Sequence, residues 1–186
     1  MIEKPEIDKI VTEAKLDFNK RKFLKSARGF KSAAQAYLSS GNAIKSAEMT
    51  NNSSVAYLKG GEPGLALNIL NGIELIFQQN GEKHQIAITL GNLGAAFEGL
   101  GKIEEAIKHY RLSAEVFSEV GDDDLYTYTV QAISSLQLRK GHPLDALVTM
   151  REGLKKIHNQ NLLQRFLKFF LDIPIKIFPG KLGLDN

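Results

Sequence analysis

The sequence predicts an all-α protein, a right-handed solenoid of about four helix-turn-helix repeats followed by a C-terminal capping helix. Glycines recur at 40-residue intervals and again half an interval away; they are Gly41, Gly81 and Gly121, then Gly61, Gly101 and Gly141. Between them, apolar residues follow three-and-four spacing, which is typical of a helix with one buried face. A fixed period combined with helical spacing indicates a helical-repeat array.

Residues that favour the start or the end of a helix set the bounds of the predicted helices. Glycine ends a helix in a left-handed turn without steric cost, and Pro63 and Pro143 suit the first turn of the next helix. The carboxylates of Asp122, Asp123 and Asp124 favour a helix N-terminus. The resulting helices span residues 6–20, 23–39, 43–59, 63–79, 83–100, 103–120, 123–140, 143–159 and 161–173.

Composition places the chain among ordinary globular proteins. Of its 186 residues, 43% are hydrophobic and 24% are charged, and the net charge is +3. The absence of cysteine excludes disulfides and thiolate chemistry. The N-terminus lacks the pattern of a secretory signal, and no apolar run reaches the length of a membrane-spanning helix. These features predict a cytoplasmic protein.

The period also predicts the domain organisation. We expect one domain over residues 1–186, because a single repeat cannot bury its apolar face alone. The four repeats cover about 6–40, 43–80, 83–120 and 123–160. A capping or interaction segment follows at 161–178, and a tail at 179–186.

Two columns of small residues, each column being a set of positions 40 residues apart, alternate with a column of large ones. The small columns are Ala14, Ser54, Gly94 and Ser134, and Ser26, Ala66, Ala106 and Ala146; the large one is Phe30, Leu70, Tyr110 and Met150. The best unit runs from Leu90 through Gly91, Phe97, Gly101 and Ala106 to Tyr110. It resembles the tetratricopeptide repeat (TPR) pattern over roughly residues 7–160. This resemblance implies paired antiparallel helices, with small residues where the helices approach closely.

The period of 40 is longer than the usual TPR period of about 34 residues. Longer repeats of this kind resemble those of soluble NSF attachment proteins and of certain bacterial regulators; the likeness is one of architecture. The first unit departs from the pattern, with Asp17 and Arg21 where later units have an aromatic residue and a glycine. Such a departure is expected of a terminal capping repeat.

The sequence offers no catalytic, cofactor-binding or metal-binding constellation. The four histidines share no metal-ligand spacing. Glycines at 91, 94, 99 and 101 lie inside a predicted helix and its turn, with no preceding strand, so they do not predict a nucleotide loop. We therefore expect no enzyme activity and no cofactor.

The predicted function is a non-enzymatic scaffold that binds a peptide or protein partner in the concave groove. In such arrays the first helix of each pair lines the inner face, where amides can bond a peptide backbone and aliphatic residues give apolar contact. The candidate groove residues are Glu48, Asn51, Val55, Ile88, Asn92, Tyr128, Gln131, Ser135 and Leu138, with Lys15 and Ala95 on the same face.

Two other surfaces remain open as binding sites. Seven basic residues between Lys15 and Lys31, offset only by Asp17, form either a solvated face or a docking patch for an acidic partner; without interleaved exposed aromatic residues they argue against nucleic acid. The apolar segment after residue 161 either caps the array, pairs with a second copy to give a homodimer, or touches a membrane surface. Its candidate self-association residues are Phe169, Ile175, Ile177 and Phe178.

Overall fold

The computed structural model describes residues 4–157 and residue 161, and within them it contains nine α-helices and no strand. Most helices pack on the next one along the chain, and the third and sixth helices also touch. The helices are α1 Lys4–Asn19, α2 Phe23–Ser39, α3 Ala43–Lys59, α4 Pro63–Leu70, α5 Ile73–Gln79, α6 Lys83–Gly99, α7 Ile103–Val120, α8 Asp123–Arg139 and α9 Pro143–Lys155. The all-α solenoid prediction is confirmed.

Every repeat boundary uses the same left-handed turn. The six glycines of the two glycine columns have φ between +72° and +79°. The backbone N–H of the residue after each one donates to the carbonyl five residues earlier, as Glu62 does to Tyr57 at 2.9 Å. This bond satisfies a carbonyl that the end of the helix would leave free. In the first unit Arg21 occupies this position with φ +58°, which is costly for a side-chain-bearing residue.

The small columns lie at the helix pairings, as predicted. Ala66 and Ala106 are fully buried, and Ser26, Ser54 and Ser134 are buried as well. The Ser26 hydroxyl donates to the Ala14 carbonyl at 2.8 Å across the α1–α2 pair. The large column is buried too, at Phe30, Leu70, Tyr110 and Met150, and fills the space between neighbouring repeats.

The predicted helix over 63–79 is wrong in one respect, because it is broken into α4 and α5. Asn71 has φ −59° and ψ 120°, and Gly72 has φ +79° and ψ 0°. These angles are those of a type II turn, which requires glycine or asparagine at its second central position. The Asn-Gly pair therefore interrupts a helix whose apolar spacing continues on both sides.

Two other boundaries differ from the prediction or lie outside the described residues. Helix α9 ends at Lys155 rather than at residue 159. The predicted helix over 161–173 lies outside the described residues apart from Asn161, which is helical.

Candidate partner-binding groove

The first helices of three successive repeats, α3, α6 and α8, border a groove of about 580 Å³ on the inner face. Aliphatic side chains form its walls, with Val55 and Leu58 on α3 and Ile88 on α6. Polar groups are few and separate from one another, including Lys59, Asn92 and Thr129. A mostly apolar concavity with a small number of fixed polar groups is the usual form of a binding site.

Two glycines of α6 lie in the groove lining and permit neighbouring helices to approach. Gly91 stands in the column of Asn51 and Gln131, and a Cβ atom built on it would lie 3.2 Å from Oγ of Ser113 on α7. A Cβ atom built on Gly99 would lie 2.7 Å from the Cβ of Pro63 on α4. Glycine at these two positions therefore allows α7 and α4 to pack closely on α6 beside the groove.

Asn92 supplies the unpaired polar group of the groove. Its Nδ2 atom is buried and has no hydrogen-bond partner within the protein. Val55, Ile88 and Ala95 line the groove with it. A buried amide donor without a partner costs about 1–3 kcal/mol.

Glu98, in the last turn of α6, lines the groove and is hydrogen-bonded to α7 and α8. Its Oε2 accepts from the Tyr110 hydroxyl at 3.0 Å, and its Oε1 accepts from Nη1 of Arg139 at 3.0 Å. Burial, followed by the neighbouring Glu98 carboxylate, raises the pKa of Tyr110 well above its ordinary value of 10.0. Glu98 is thus held by α7 and α8 and keeps a fixed position at the groove.

Four of the nine candidate groove residues line this cavity. Val55, Ile88 and Asn92 do so as half-buried residues, and Tyr128 does so while 66% exposed. Ala95 lines it as well. The aromatic ring of Tyr128 is therefore open to solvent at the α8 side of the groove.

Asn51 was predicted to line the groove, and the structure places it elsewhere. It is 3% exposed, and its Nδ2 donates to Oγ1 of Thr89 at 3.0 Å. Thr89 in turn donates to the Gln85 carbonyl at 2.8 Å. The amide of Asn51 therefore connects α3 to α6 inside the array and does not line the groove.

The remaining four candidates also lie outside the groove lining. Glu48 pairs with Lys45 at 2.6 Å, and this hydrogen bond raises the pKa of the Lys45 ammonium. Gln131, Ser135 and Leu138 are half-buried along α8. The candidate self-association residues Phe169, Ile175, Ile177 and Phe178 lie outside the described residues.

The sequence reasoning missed groove residues that come from helix ends and from second helices. Lys59 and Glu98 occupy the last turns of their helices, and Pro63 and Tyr110 belong to α4 and α7. The glycines of α6 were the available signal, because side chains at Gly91 and Gly99 would crowd Ser113 of α7 and Pro63 of α4.

The basic segment lies on the first helix pair, away from the groove. Lys20, Lys22 and Arg28 are exposed, and Lys25 pairs with the buried carboxylate of Asp17 at 3.0 Å. Lys15 lines a separate cavity of about 210 Å³ beside Phe18 and Asn52. These charges neither enter nor border the groove between α3, α6 and α8.

Within residues 4–157, no cluster of three histidine, aspartate or glutamate side chains is arranged to hold a metal ion. None of the helices in that range is both long and apolar enough to cross a bilayer.

Solved structures with the same fold are helical-repeat proteins. The apo form of RapI aligns with a TM-score of 0.75 at 17% identity, covering 95% of this chain and 52% of RapI. A Rap protein complexed with Competence and Sporulation Factor aligns at 0.72 and 18% identity, covering 87% of this chain and 47% of that protein. TPR-like repeats of a putative kinesin light chain from Podosopora anserina align at 0.71 and 10% identity, covering 96% and 94%.

The present chain therefore spans about half the length of the two Rap structures. No curated protein sequence matches it at a significant level. The sequence model of the soluble NSF attachment proteins, in contrast, matches residues 10–173. This match runs from within α1 to beyond α9 and agrees with the long TPR-like period, so the chain belongs to the soluble NSF attachment protein family.

Proposed function

We propose that the chain is a non-enzymatic scaffold that binds a segment of a peptide or protein partner in the groove between α3, α6 and α8. The observation that carries this proposal is the mostly apolar groove of about 580 Å³ lined by Asn92, whose Nδ2 atom lacks a hydrogen-bond partner. The Asn92 amide, once rotated toward the groove, would donate to a backbone carbonyl of the partner, and an apolar side chain would contact Val55 and Ile88.

The charged groups near the groove support binding rather than a reaction. Glu98 is held on both oxygens by Tyr110 and Arg139, so it serves as part of a fixed wall. Tyr128, two-thirds exposed, offers a flat amphipathic ring at the groove edge. Tyrosine is enriched at such contacts because it buries a large area at a small entropic cost.

The Rap complex supports the proposal at the level of architecture. An array of similar shape has been seen together with Competence and Sporulation Factor. The present chain covers 47% of that protein at 18% identity, so the likeness extends to the shape of the array and gives no partner. The proposal that a peptide segment occupies the groove rests on the shape and the lining residues of the groove.

The test is selection of short random peptides on the purified chain, followed by binding measurements on variants. We expect Asn92→Leu combined with Tyr128→Ala to weaken selected peptides by about tenfold or more, since one hydrogen bond and one aromatic contact are lost. The matched control is Asn68→Leu combined with Leu38→Ala, which changes an exposed asparagine on α4 and an exposed apolar residue on α2.

Circular dichroism of both double variants verifies that the array remains folded. Selected peptides that bind the groove variant as tightly as the parent would refute the groove. If binding is instead lost on Lys20→Glu with Arg28→Glu, the basic segment of the first repeat is the binding surface. A parent chain that forms a defined dimer through its C-terminal segment would favour the self-associating alternative.

A further inference from the structure

A second cavity, of about 470 Å³, lies beside the break between α4 and α5. On α6 it is lined by Leu93 and Phe97, whereas Asn92 and Ala95 of the same helix line the groove. Residues three or four positions apart share one face of a helix, so the two pairs lie on different faces of α6. The second cavity is therefore separate from the groove.

Polar residues line this cavity on both sides of the break. Asn68 lies on α4, Asn71 in the turn, and Glu74 in the first turn of α5. His109 of α7 lines it as well, and its Nδ1 donates to the Glu105 carbonyl at 2.8 Å, since a carbonyl can only accept. The Nε2 atom of the neutral ring is therefore an acceptor.

The carboxylate of Glu74 lacks a partner. Its Oε2 atom is buried and has no hydrogen bond within the protein. Within residues 4–157 no lysine or arginine forms an ion pair with it, and this includes Lys102, whose Nζ lies 6.0 Å from the centroid of the Phe97 ring. A buried carboxylate is normally paired, because removing its charge from water is costly.

The other repeats carry apolar residues in the column of Glu74. Ala34 and Ala114 are buried there, and Leu154 is half-buried. An apolar residue therefore satisfies the packing at this position in three of the four repeats. The packing of the helices does not explain the carboxylate of the second repeat.

The columns of Asn68 and Asn71 show the reverse exchange. Both hold basic residues in the first and third repeats, Arg28 and Lys108 in one column and Lys31 and Arg111 in the other. The second repeat thus has neutral amides where its neighbours have cations, beside a carboxylate where its neighbours have apolar residues. The cavity of this repeat is complementary to a cation supplied from outside.

We propose that this cavity binds a guanidinium group on an aliphatic stem, either an arginine side chain of a partner or a free arginine-like amine. The Glu74 carboxylate, once rotated toward the cavity, would accept its charge-assisted hydrogen bonds. The side-chain carbonyls of Asn68 and Asn71 and Nε2 of His109 would accept others. A guanidinium suits such a set because it is planar and carries only donors.

The wall of the cavity suits the stem. Leu67 and Leu93 line it, and methylene groups of an arginine pack on aliphatic surface of this kind. The site does not depend on the proposed function, because its lining shares no residue with the groove.

The test is titration of acetyl-arginine amide into the full chain, followed by NMR at the side-chain amides of Asn68 and Asn71. We expect saturable shifts, and binding at least about tenfold weaker for acetyl-citrulline amide, which has a similar shape and no charge. Agmatine distinguishes the two sources. Tighter binding of agmatine indicates a free amine, tighter binding of acetyl-arginine amide indicates a protein side chain, and both support the site.

Asn71→Arg restores the basic residue of its column and places a cation beside Glu74. We expect it to weaken acetyl-arginine amide by at least about tenfold while the array stays folded, because φ −59° and ψ 120° suit an arginine. The matched control is Gln78→Arg, which adds the same charge on the exposed side of α5 and should leave binding unchanged.

Glu74→Leu restores the apolar residue of its column. We expect it to abolish binding and to raise the melting temperature, because an unpaired buried carboxylate is removed. Glu115→Leu, at an exposed position on α7, is the matched control. A lower melting temperature for Glu74→Leu would show that the carboxylate is paired within the protein.

Three further outcomes overturn the proposal. Equal binding of the arginine and citrulline compounds removes the charge from recognition. Absence of shifts at Asn68 and Asn71 shows that the cavity holds only water. Undiminished binding in both Asn71→Arg and Glu74→Leu places the site elsewhere on the chain.

Discussion

Gly94 lies where α6 and α7 approach most closely. A Cβ atom built on it would lie 2.7–2.9 Å from three ring carbons of Tyr110, closer than side chains tolerate. Tyr110 is buried and fixed by its hydrogen bond to Glu98, so its ring has little freedom to move away. The glycine is therefore required by packing, since it is in the middle of a helix and its backbone conformation is helical.

We expect Gly94→Leu to lower the free energy of unfolding by about 1–3 kcal/mol through overpacking. Urea unfolding followed by circular dichroism measures this change. The matched control is Gly64→Ala on α4, where a Cβ atom would have no neighbour within 4 Å and alanine favours the helix. A Gly94→Leu protein as stable as the parent would contradict the close approach of α6 and α7.

Single residues also show where sequence reasoning succeeds and fails. The columns of small and of large residues could be predicted from the sequence, because a residue of the wrong volume cannot occupy those positions. Asn51 was misplaced because its periodicity is that of the inner face, while its amide turns toward Thr89. Helical spacing gives the direction of a Cβ atom, and the partner that a polar side chain finds depends on the neighbouring helix.

At the scale of elements, one hydrogen-bonded network links three helices of adjacent repeats. Tyr110 on α7 and Arg139 on α8 both donate to Glu98 on α6. The pKa of Tyr110 is raised mainly by burial, with the Glu98 carboxylate as the next cause. The phenol therefore stays protonated in the folded chain at a pH where the unfolded chain has lost the proton.

This raised pKa predicts a loss of stability in alkali. The contribution of Tyr110 is fully present below its unfolded pKa near 10 and falls above it, by up to about 1.4 kcal/mol per pH unit for one proton. We expect Tyr110→Phe to make the free energy of unfolding less dependent on pH above 10. Urea unfolding at pH 8 and pH 11 measures this, with Tyr128→Phe as the exposed control. An unchanged pH dependence in Tyr110→Phe would show that the phenol is not held in the folded chain.

The helices themselves were largely predictable, and the exceptions have local causes. All eight connections between the described helices contain a residue with positive φ. In six of them it is a glycine of the two glycine columns, in the first unit it is Arg21, and in the remaining one it is Gly72. The break at Asn71–Gly72 was missed because the apolar spacing on either side continues through it. Turn dipeptides inside a regular pattern can end a helix without changing its hydrophobic face.

At the scale of the whole molecule, the groove lies beside the one first helix that carries both Gly91 and Gly99. These glycines allow α7 and α4 to approach α6, while α3 and α8 carry side chains in the same columns. The array could be predicted because its period is repeated four times. The groove could be predicted only in part, because its lining includes residues at helix ends and residues of α4 and α7.

Binding of a partner segment in this groove is tested most directly by hydrogen exchange of the chain with and without a selected peptide at saturating concentration. We predict slower exchange over residues 55–59, 88–99 and 125–129, which border the groove, and unchanged exchange in α1 and α2. Slowed exchange confined to residues 15–31 would contradict the account, because the occupant would then lie on the basic segment of the first repeat.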